Sequence, residues 1–221
     1  MPESRDYVRD YVDEVGAAIH EAAHACAALY IGVELQYANI TETDTRWGSV
    51  QLAEDNGPFD ADKARKYIFV TACGVLAEGI FYLPQGGAKS DFRGIEKYLR
   101  LDIISDPHRA RRDLMWGARS FVLKHQHQIL RVAQELQNHG RLDGSAVSKI
   151  YHGQEKVFFT AEFINATKEL EKRFDEEMAA RHISRDEKTG MYLDYFDVFA
   201  DSNFAAEAEK VYGECPADSK N

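Results

Sequence analysis

The chain has 221 residues, of which 44% are hydrophobic and 29% charged, a balance that is ordinary for soluble globular proteins. Its 27 Lys and Arg face 37 Asp and Glu, and the net charge of −10 argues against nucleic acid or an anionic membrane surface as a partner, because both demand clustered cations. Three scattered cysteines, no signal-peptide pattern and no apolar run of the roughly 18 residues that a membrane span needs predict a cytoplasmic protein.

The first predicted element is a helix over residues 4–31, or two helices joined near Gly16, because apolar side chains recur there at the helical period. Gly32 is expected to end it. Two short extended runs follow, at residues 35–40 and 47–52, with a polar turn between them. This pattern predicts a small β-sheet next to the first helix.

Two further helices are predicted beyond the break at residues 56–58. Asp60 is expected to cap a helix over residues 63–82, which is apolar enough to pack centrally against the first helix. The next helix is expected to begin at residues 90–91, with an apolar face that extends to Ile103.

Pro107 is expected to open a long helix that runs unbroken to residue 138. A short helix capped by residues 142–144 is predicted to follow and to end near residue 153. The predicted fold class is therefore mainly α, with a small sheet beside the first helix.

The character of the chain changes beyond residue 153. Residues 162–182 predict a charged amphipathic helix, and residues 192–199 are both aromatic and acidic. We predict a domain over residues 1–153 and a helical and aromatic C-terminal extension over residues 154–221. We favour an extension that packs on the domain over an interaction or gating tail.

The clearest chemical signal is at residues 20–24, which read His-Glu-Ala-Ala-His inside a run of helix formers. Residues four apart on a helix project from one face, so His20 and His24 are placed to hold one zinc ion. Glu21 lies at the flank of the pair, where it can act as general base on a metal-bound water. A chance occurrence is the alternative, but a buried apolar helix is a costly place for these groups unless a metal pairs with them.

A catalytic zinc needs a third protein ligand and an open position for water. Asp91, Glu78 and the remaining histidines are all open as candidates. His125 and His127 are two apart on a predicted helix, face different ways and cannot hold one ion together; surface positions are expected for them.

The motif at residues 20–24 and three later segments together resemble the peptidase domain of the FtsH-type ATP-dependent zinc proteases. Residues 74–78 (Gly-Val-Leu-Ala-Glu) are similar to that family's Gly-Arg-Ala-Ala-Glu segment, and residues 87–92 (Gly-Ala-Lys-Ser-Asp-Phe) to its Gly-Ala-Ser-Asn-Asp-Leu. Residues 140–144 (Gly-Arg-Leu-Asp-Gly) resemble the segment that closes the domain. The resemblance spans residues 15–153 in the same order and implies a helical FtsH-peptidase-like domain.

The resemblance also implies roles for single residues. It makes His20, His24 and Asp91 the zinc ligands and Glu21 the catalytic base. For Asp91, a first-turn carboxylate favoured by the helix dipole is the alternative. Glu78 is expected to support a ligand histidine by contacting its imidazole. The alternative is that Glu78 itself binds the zinc ion.

A strand that binds substrate is implied as well. The resemblance puts an edge strand along the active site at Trp47, Gly48, Ser49, Val50 and Gln51. An unpaired strand edge can hold an extended peptide by main-chain hydrogen bonds and would give sequence-tolerant cleavage. An ordinary strand of a small sheet is the alternative.

The chain departs from the family in one large respect: it has no Walker motif, and we expect neither an ATPase domain nor a membrane anchor. The expected function is a stand-alone, ATP-independent zinc metalloendopeptidase that cleaves flexible or unfolded segments of peptides and proteins. The alternative is a catalytically silent, metal-stabilised interaction or regulatory protein, which would have no need of Glu21 as a base. For the oligomeric state, both a monomer and a homo-oligomer are consistent with the sequence.

Overall fold

The computed structural model describes residues 11–41, 48–53, 57–81, 83 and 88–180. Within these ranges the chain is mainly helical with one small antiparallel sheet, which confirms the predicted mainly α class. None of the helices in the described ranges is long and apolar enough to cross a membrane. In chain order the elements are α1 (Tyr11–Tyr30), β1 (Leu35–Asn39), β2 (Ser49–Leu52), α2 (Ala61–Ile80), α3 (Ala88–Leu99), α4 (Pro107–Lys124), α5 (Gln126–His139), β3 (Arg141–Asp143), α6 (Gly144–Tyr151) and α7 (Ala161–Ala180).

Helix α1 is the central element of the fold. Almost every residue from Val15 to Ala28 is buried, and α2, α5, α7 and the sheet all pack against it. Many of these residues are alanines, which let the neighbouring elements approach closely from several sides. The helix runs straight through Gly16 and ends before Gly32, whose φ of +71° suits a residue without a side chain. The predicted residues 4–10 lie outside the described ranges.

The sheet has the strand order β2-β1-β3, and both pairings are antiparallel. The two predicted extended runs form β1 and β2. Strand β3, at residues Arg141–Asp143, was not predicted, because three residues are too short to show an alternating pattern. Strand β2 lies at one edge of this sheet, and within the described ranges it pairs with β1 alone.

Helix α2 forms one wall of the site described below. It begins as predicted: the Asp60 carboxylate accepts a hydrogen bond of 2.9 Å from the backbone N–H of Lys63. The helix packs between α1 on one side and α3 and α4 on the other. It therefore connects the central helix to the helix that carries Asp91.

Two predicted helices differ from the structure. Helix α3 ends at Leu99, so Ile103 lies beyond it and is 39% exposed, whereas the prediction placed it on the apolar face of that helix. The predicted unbroken helix from Pro107 to residue 138 is two helices, α4 and α5, which meet at His125. The apolar period continues on both sides of the break, so periodicity alone could not reveal it.

His125 is also less exposed than predicted. Its ring is half-buried and stacks on Phe121, with 4.6 Å between the ring centroids, and lies 5.8 Å from the ring of Tyr151. The backbone N–H of His125 caps α4 by donating to the Phe121 carbonyl at 2.9 Å. These ring contacts account for the partial burial of His125 at the junction of the two helices.

Helix α7 packs against α1 as part of the common core. Its buried side chains follow the helical period: Phe163, Ala166, Leu170, Phe174 and Met178. Arg173 adds a 3.5 Å ion pair with Asp13 of α1. The proposed boundary at residue 153 stays a prediction, and the aromatic segment at residues 192–199 lies outside the described ranges.

Candidate metal centre

His20 and His24 project from the same face of α1, one turn apart. Their Nε2 atoms are 3.0 Å apart, and their rings meet edge to face with 4.6 Å between centroids. Each histidine is only 7% exposed. The helical repeat alone accounts for this pairing, because positions i and i+4 of a helix are neighbours on its surface.

Asp91 reaches the same point from the first turn of α3, 67 residues along the chain. Its Oδ2 atom lies 3.0 Å from Nε2 of His20 and 3.0 Å from Nε2 of His24. The two nitrogens and the oxygen therefore form a triangle with edges of 3.0 Å. The Asp91 side chain is 19% exposed and is the least buried of the three.

The far nitrogen of each imidazole has its own partner. Nδ1 of His24 donates a hydrogen bond of 2.8 Å to the carbonyl of Val70, and Nδ1 of His20 lies 3.1 Å from Oε1 of the buried Glu78. A carbonyl can only accept, so His24 carries a proton on Nδ1, and in the neutral ring Nε2 has the lone pair that faces Asp91. A carboxylate behind His20 favours the same tautomer there. Glu78 and the Val70 carbonyl thus lie behind the two imidazoles, at the nitrogens turned away from Asp91.

The charges in this cluster require a cation or bound protons. Three acceptor atoms 3.0 Å apart repel each other in a buried site unless positive charge lies between or on them. Without a metal, burial acts to lower the pKa of His20, but hydrogen bonds and charge from Asp91 and Glu78 outweigh it and raise that pKa well above its usual value. The pKa of His24 is raised against the same burial effect, chiefly by the charge of Asp91.

The pKa of Asp91 moves the opposite way. Burial acts to raise it, but the charge of His24 and the hydrogen bonds from both histidines hold it well below its usual range. Asp91 is therefore an anion in this site, with its Oδ2 directed at two imidazoles.

The residues present fit a divalent metal ion. Two imidazole nitrogens and one carboxylate oxygen are a donor set that zinc accepts, although other divalent transition metals accept it too. Tetrahedral ligands at about 2.1 Å from zinc are about 3.4 Å from each other, close to the observed 3.0 Å. Within the described part of the chain, no other three His, Cys, Asp or Glu side chains converge in this way.

Glu21, the predicted base, follows His20 directly in α1 and is 9% exposed. Its negative charge contributes to the raised pKa of His24. It packs against Gly48: a Cβ atom built on that glycine would lie 2.6 Å from Oε1 of Glu21. The residue that precedes β2 is therefore in contact with the proposed catalytic group.

A second glycine shapes the cluster from α2. A Cβ atom on Gly74 would lie 2.3 Å from Cε1 and Nε2 of His24, so only glycine leaves room for that ring. No role in the site was predicted for Gly74. A glycine inside an otherwise good helix costs about 1 kcal/mol relative to alanine, and such a glycine is the signal that could have pointed to a close approach.

The predicted substrate strand is placed in part. Ser49, Val50 and Gln51 lie in the edge strand β2, and Gly48 precedes it at Glu21. Trp47 lies outside the described ranges. The four remaining histidines of the described part are exposed and take no part in the cluster: His108, His127, His139 and His152.

Comparisons of the sequence with profiles of known protein families and with characterised proteins give no significant match. The geometry of the cluster and the chemistry of its residues are therefore what indicates a function.

Proposed function

We propose that this chain is a zinc metalloendopeptidase of the FtsH-peptidase type, which cleaves flexible or unfolded segments of peptides and proteins. The observation that carries the proposal is the triangle of His20 Nε2, His24 Nε2 and Asp91 Oδ2, with edges of 3.0 Å and with Glu21 on the same helix. Three protein ligands and an adjacent carboxylate are the composition of a catalytic zinc site, whereas structural zinc sites are usually closed by four protein ligands.

His20, His24 and Asp91 would hold the metal, and Glu78 and the Val70 carbonyl would fix the two imidazoles. A zinc ion bound there supplies Lewis-acid chemistry: it makes water acidic enough to ionise near neutral pH and polarises a carbonyl group. Three protein donors leave a fourth position for water or substrate, and Asp91 is the donor whose side chain is partly exposed.

Glu21 carries the proton transfer in this proposal. Its carboxylate accepts a proton from the attacking water and then donates it to the amine that leaves when the peptide bond breaks. Proton transfer of this kind depends on a carboxylate held in one position. The backbone at Gly48 supplies that support, since it packs directly against the Glu21 side chain.

The edge strand β2 offers a place for the substrate backbone. It begins one residue after Gly48 and therefore leads away from the Glu21 carboxylate. An extended segment could add to this edge through main-chain hydrogen bonds, which any sequence can make. This mode of binding requires a substrate that is already unfolded or flexible over several residues.

The proposal is tested by metal analysis combined with cleavage of unfolded casein. The purified chain is expected to hold about one zinc per molecule and to cleave casein; a chelator should abolish cleavage, and added zinc should restore it. Casein cleavage that survives complete removal of the metal would contradict the proposal.

A further inference from the structure

Three aromatic rings meet at the far end of the contact between α2 and α3. Phe59, Tyr67 and Tyr98 have centroid separations of 5.5 to 6.1 Å, and their planes lie within 22° of each other. We call these three residues the aromatic stack. Phe59 is 44% exposed, so the stack presents ring surface to solvent.

The stack is aligned with the metal centre along both helices. Tyr98 follows Asp91 by seven residues in α3, and Tyr67 precedes Gly74 by seven residues in α2. Seven residues are close to two full turns, so each tyrosine lies on the same face of its helix as the corresponding site residue, about 10 Å further along the axis. The metal centre and the stack are thus the two ends of one seam between the helices.

Small residues line the seam between these ends. A Cβ atom on Gly94 would meet only the Thr71 methyl group, at 3.9 Å, so the space above Gly94 is open. Thr71 donates its hydroxyl proton to the Tyr67 carbonyl at 2.8 Å, which leaves its methyl group on the seam. Both residues are half-buried. The seam between its two ends is therefore lined by small groups, and the Thr71 methyl group gives it apolar surface.

Strand β2 leads toward the same tyrosine. It runs from the Glu21 contact at Gly48 to Leu52, and Leu52, Pro58 and Tyr67 line a cavity of about 490 Å³. Two acids of the cavity wall are already occupied: Asp62 pairs with Lys66 at 2.8 Å, and Asp60 caps α2. The wall also carries other charged side chains, and Tyr67 is the ring that the cavity shares with the aromatic stack.

We infer that the aromatic stack is a subsite that binds a large apolar or aromatic side chain of the substrate, about three residues from the bond that is cut. This inference rests on the proposed peptidase function and adds a substrate preference to it. Extended chain rises about 3.3 Å per residue, so three residues cover the roughly 10 Å between the metal centre and the stack. Aromatic rings gain from offset or edge contacts with a further ring, and Phe59 has the exposed surface to make one.

The first part of the test maps the bonds that the zinc-loaded, full-length chain cleaves in unfolded casein, by mass spectrometry. Large apolar residues should be enriched at the third position from the cleaved bond, on one side of it. In synthetic peptides, replacing that residue by alanine should lower kcat/KM about 10-fold, a discrimination typical of a hydrophobic pocket.

The second part uses variants. Phe59→Ala and Tyr98→Ala should reduce the 10-fold preference to less than about 2-fold, whereas Tyr98→Phe, which keeps the ring, should retain it. Phe158→Ala is the matched control, because Phe158 is exposed and lies outside the seam. This variant should keep the same substrate preference as the unaltered chain. Zinc content should be unchanged in all four variants.

The outcomes separate the two proposals. A chain that cleaves no casein would overturn both the peptidase function and the subsite. Cleavage without enrichment at that position, or with a preference that Phe59→Ala and Tyr98→Ala leave intact, would overturn the subsite alone and identify the stack as packing between helices.

Discussion

Gly74 of α2 lies directly against the imidazole of His24 in α1, so that a Cβ atom at position 74 would stand 2.3 Å from Nε2 of that ring. The same imidazole is held on its other nitrogen by the Val70 carbonyl, one turn earlier in α2. Helix α2 therefore fixes the second histidine both by a hydrogen bond and by shape. The position of the proposed ligand depends on a packing contact as well as on the spacing within α1.

Gly74→Ala should weaken zinc binding about 10- to 100-fold, the range found when a group that orients a metal ligand is altered. The added methyl group cannot fit unless the His24 ring or the helix moves. Zinc affinity is measured by competition with a chromogenic chelator, and helix content by circular dichroism. Gly117→Ala is the matched control: its Cβ would meet the Phe69 ring at an ordinary 3.6 Å, and its zinc affinity should not change. Equal affinities in the two variants would contradict the packing argument.

Gly48→Ala should leave zinc content unchanged but lower the rate of casein cleavage by about 100-fold, because the new methyl group would displace the Glu21 carboxylate by an ångström or more. Ser49→Ala, one residue on in β2, keeps the backbone of the strand and should cleave at nearly the normal rate. If Gly48→Ala is as active as Ser49→Ala, the contact with Glu21 has no part in catalysis.

Asp91→Ala should reduce zinc content much more than Glu78→Ala. Asp91 offers its oxygen at 3.0 Å from both Nε2 atoms, whereas Glu78 faces only Nδ1 of His20, the nitrogen turned away from the other two donors. Loss of a ligand should leave the purified chain with little metal, while loss of the supporting carboxylate should lower affinity about 10- to 100-fold. The reverse order, measured by elemental analysis after dialysis, would make Glu78 the third ligand.

Stability near pH 4 should depend on Asp143, which caps α6. Its carboxylate accepts hydrogen bonds from the backbone of Ala146 at 2.8 Å and from the Ser145 hydroxyl at 2.7 Å, and these lower its pKa in the folded chain. The stabilisation is fully present above the ordinary pKa of an aspartate, about 3.9, and is lost as the pH falls through the lower pKa of the folded state.

In Asp143→Asn an acceptor remains at the cap but the acid dependence is removed. Denaturant unfolding between pH 3 and pH 6 should therefore show the unaltered chain more stable than Asp143→Asn at pH 6, with the difference shrinking below pH 4. A difference that is the same at every pH would show that the cap has no charge component.

The parts of the structure that sequence could predict are those set by local pattern. The side-by-side placement of His20 and His24 follows from four-residue spacing on one helix, and the start of α2 follows from Asp60 as a cap. The parts that it missed depend on contacts between elements. Nothing local to Gly74 indicates that the His24 ring lies against it, and the break at His125 interrupts an apolar period that continues on both sides.

Asp91 is predictable from the sequence only in part. Its place in the first turn of a helix is visible in the sequence, but a carboxylate there is favourable without any metal, because it interacts with the helix dipole. Its approach to the histidines requires α3 to pack on α2, a contact that has no signature in the residues around position 91. Resemblance to a family, and not spacing, singles out Asp91 as the third ligand.

The most direct test of the proposed function is the substitution Glu21→Gln, which removes the base while keeping a side chain of the same size. The variant should bind about one zinc per chain with normal affinity, because Glu21 is not one of the three convergent donors. It should lose casein cleavage by at least about 100-fold, the lower range of what general acid–base catalysis contributes. A zinc-loaded Glu21→Gln chain that cleaves casein as fast as the unaltered chain would contradict the mechanism.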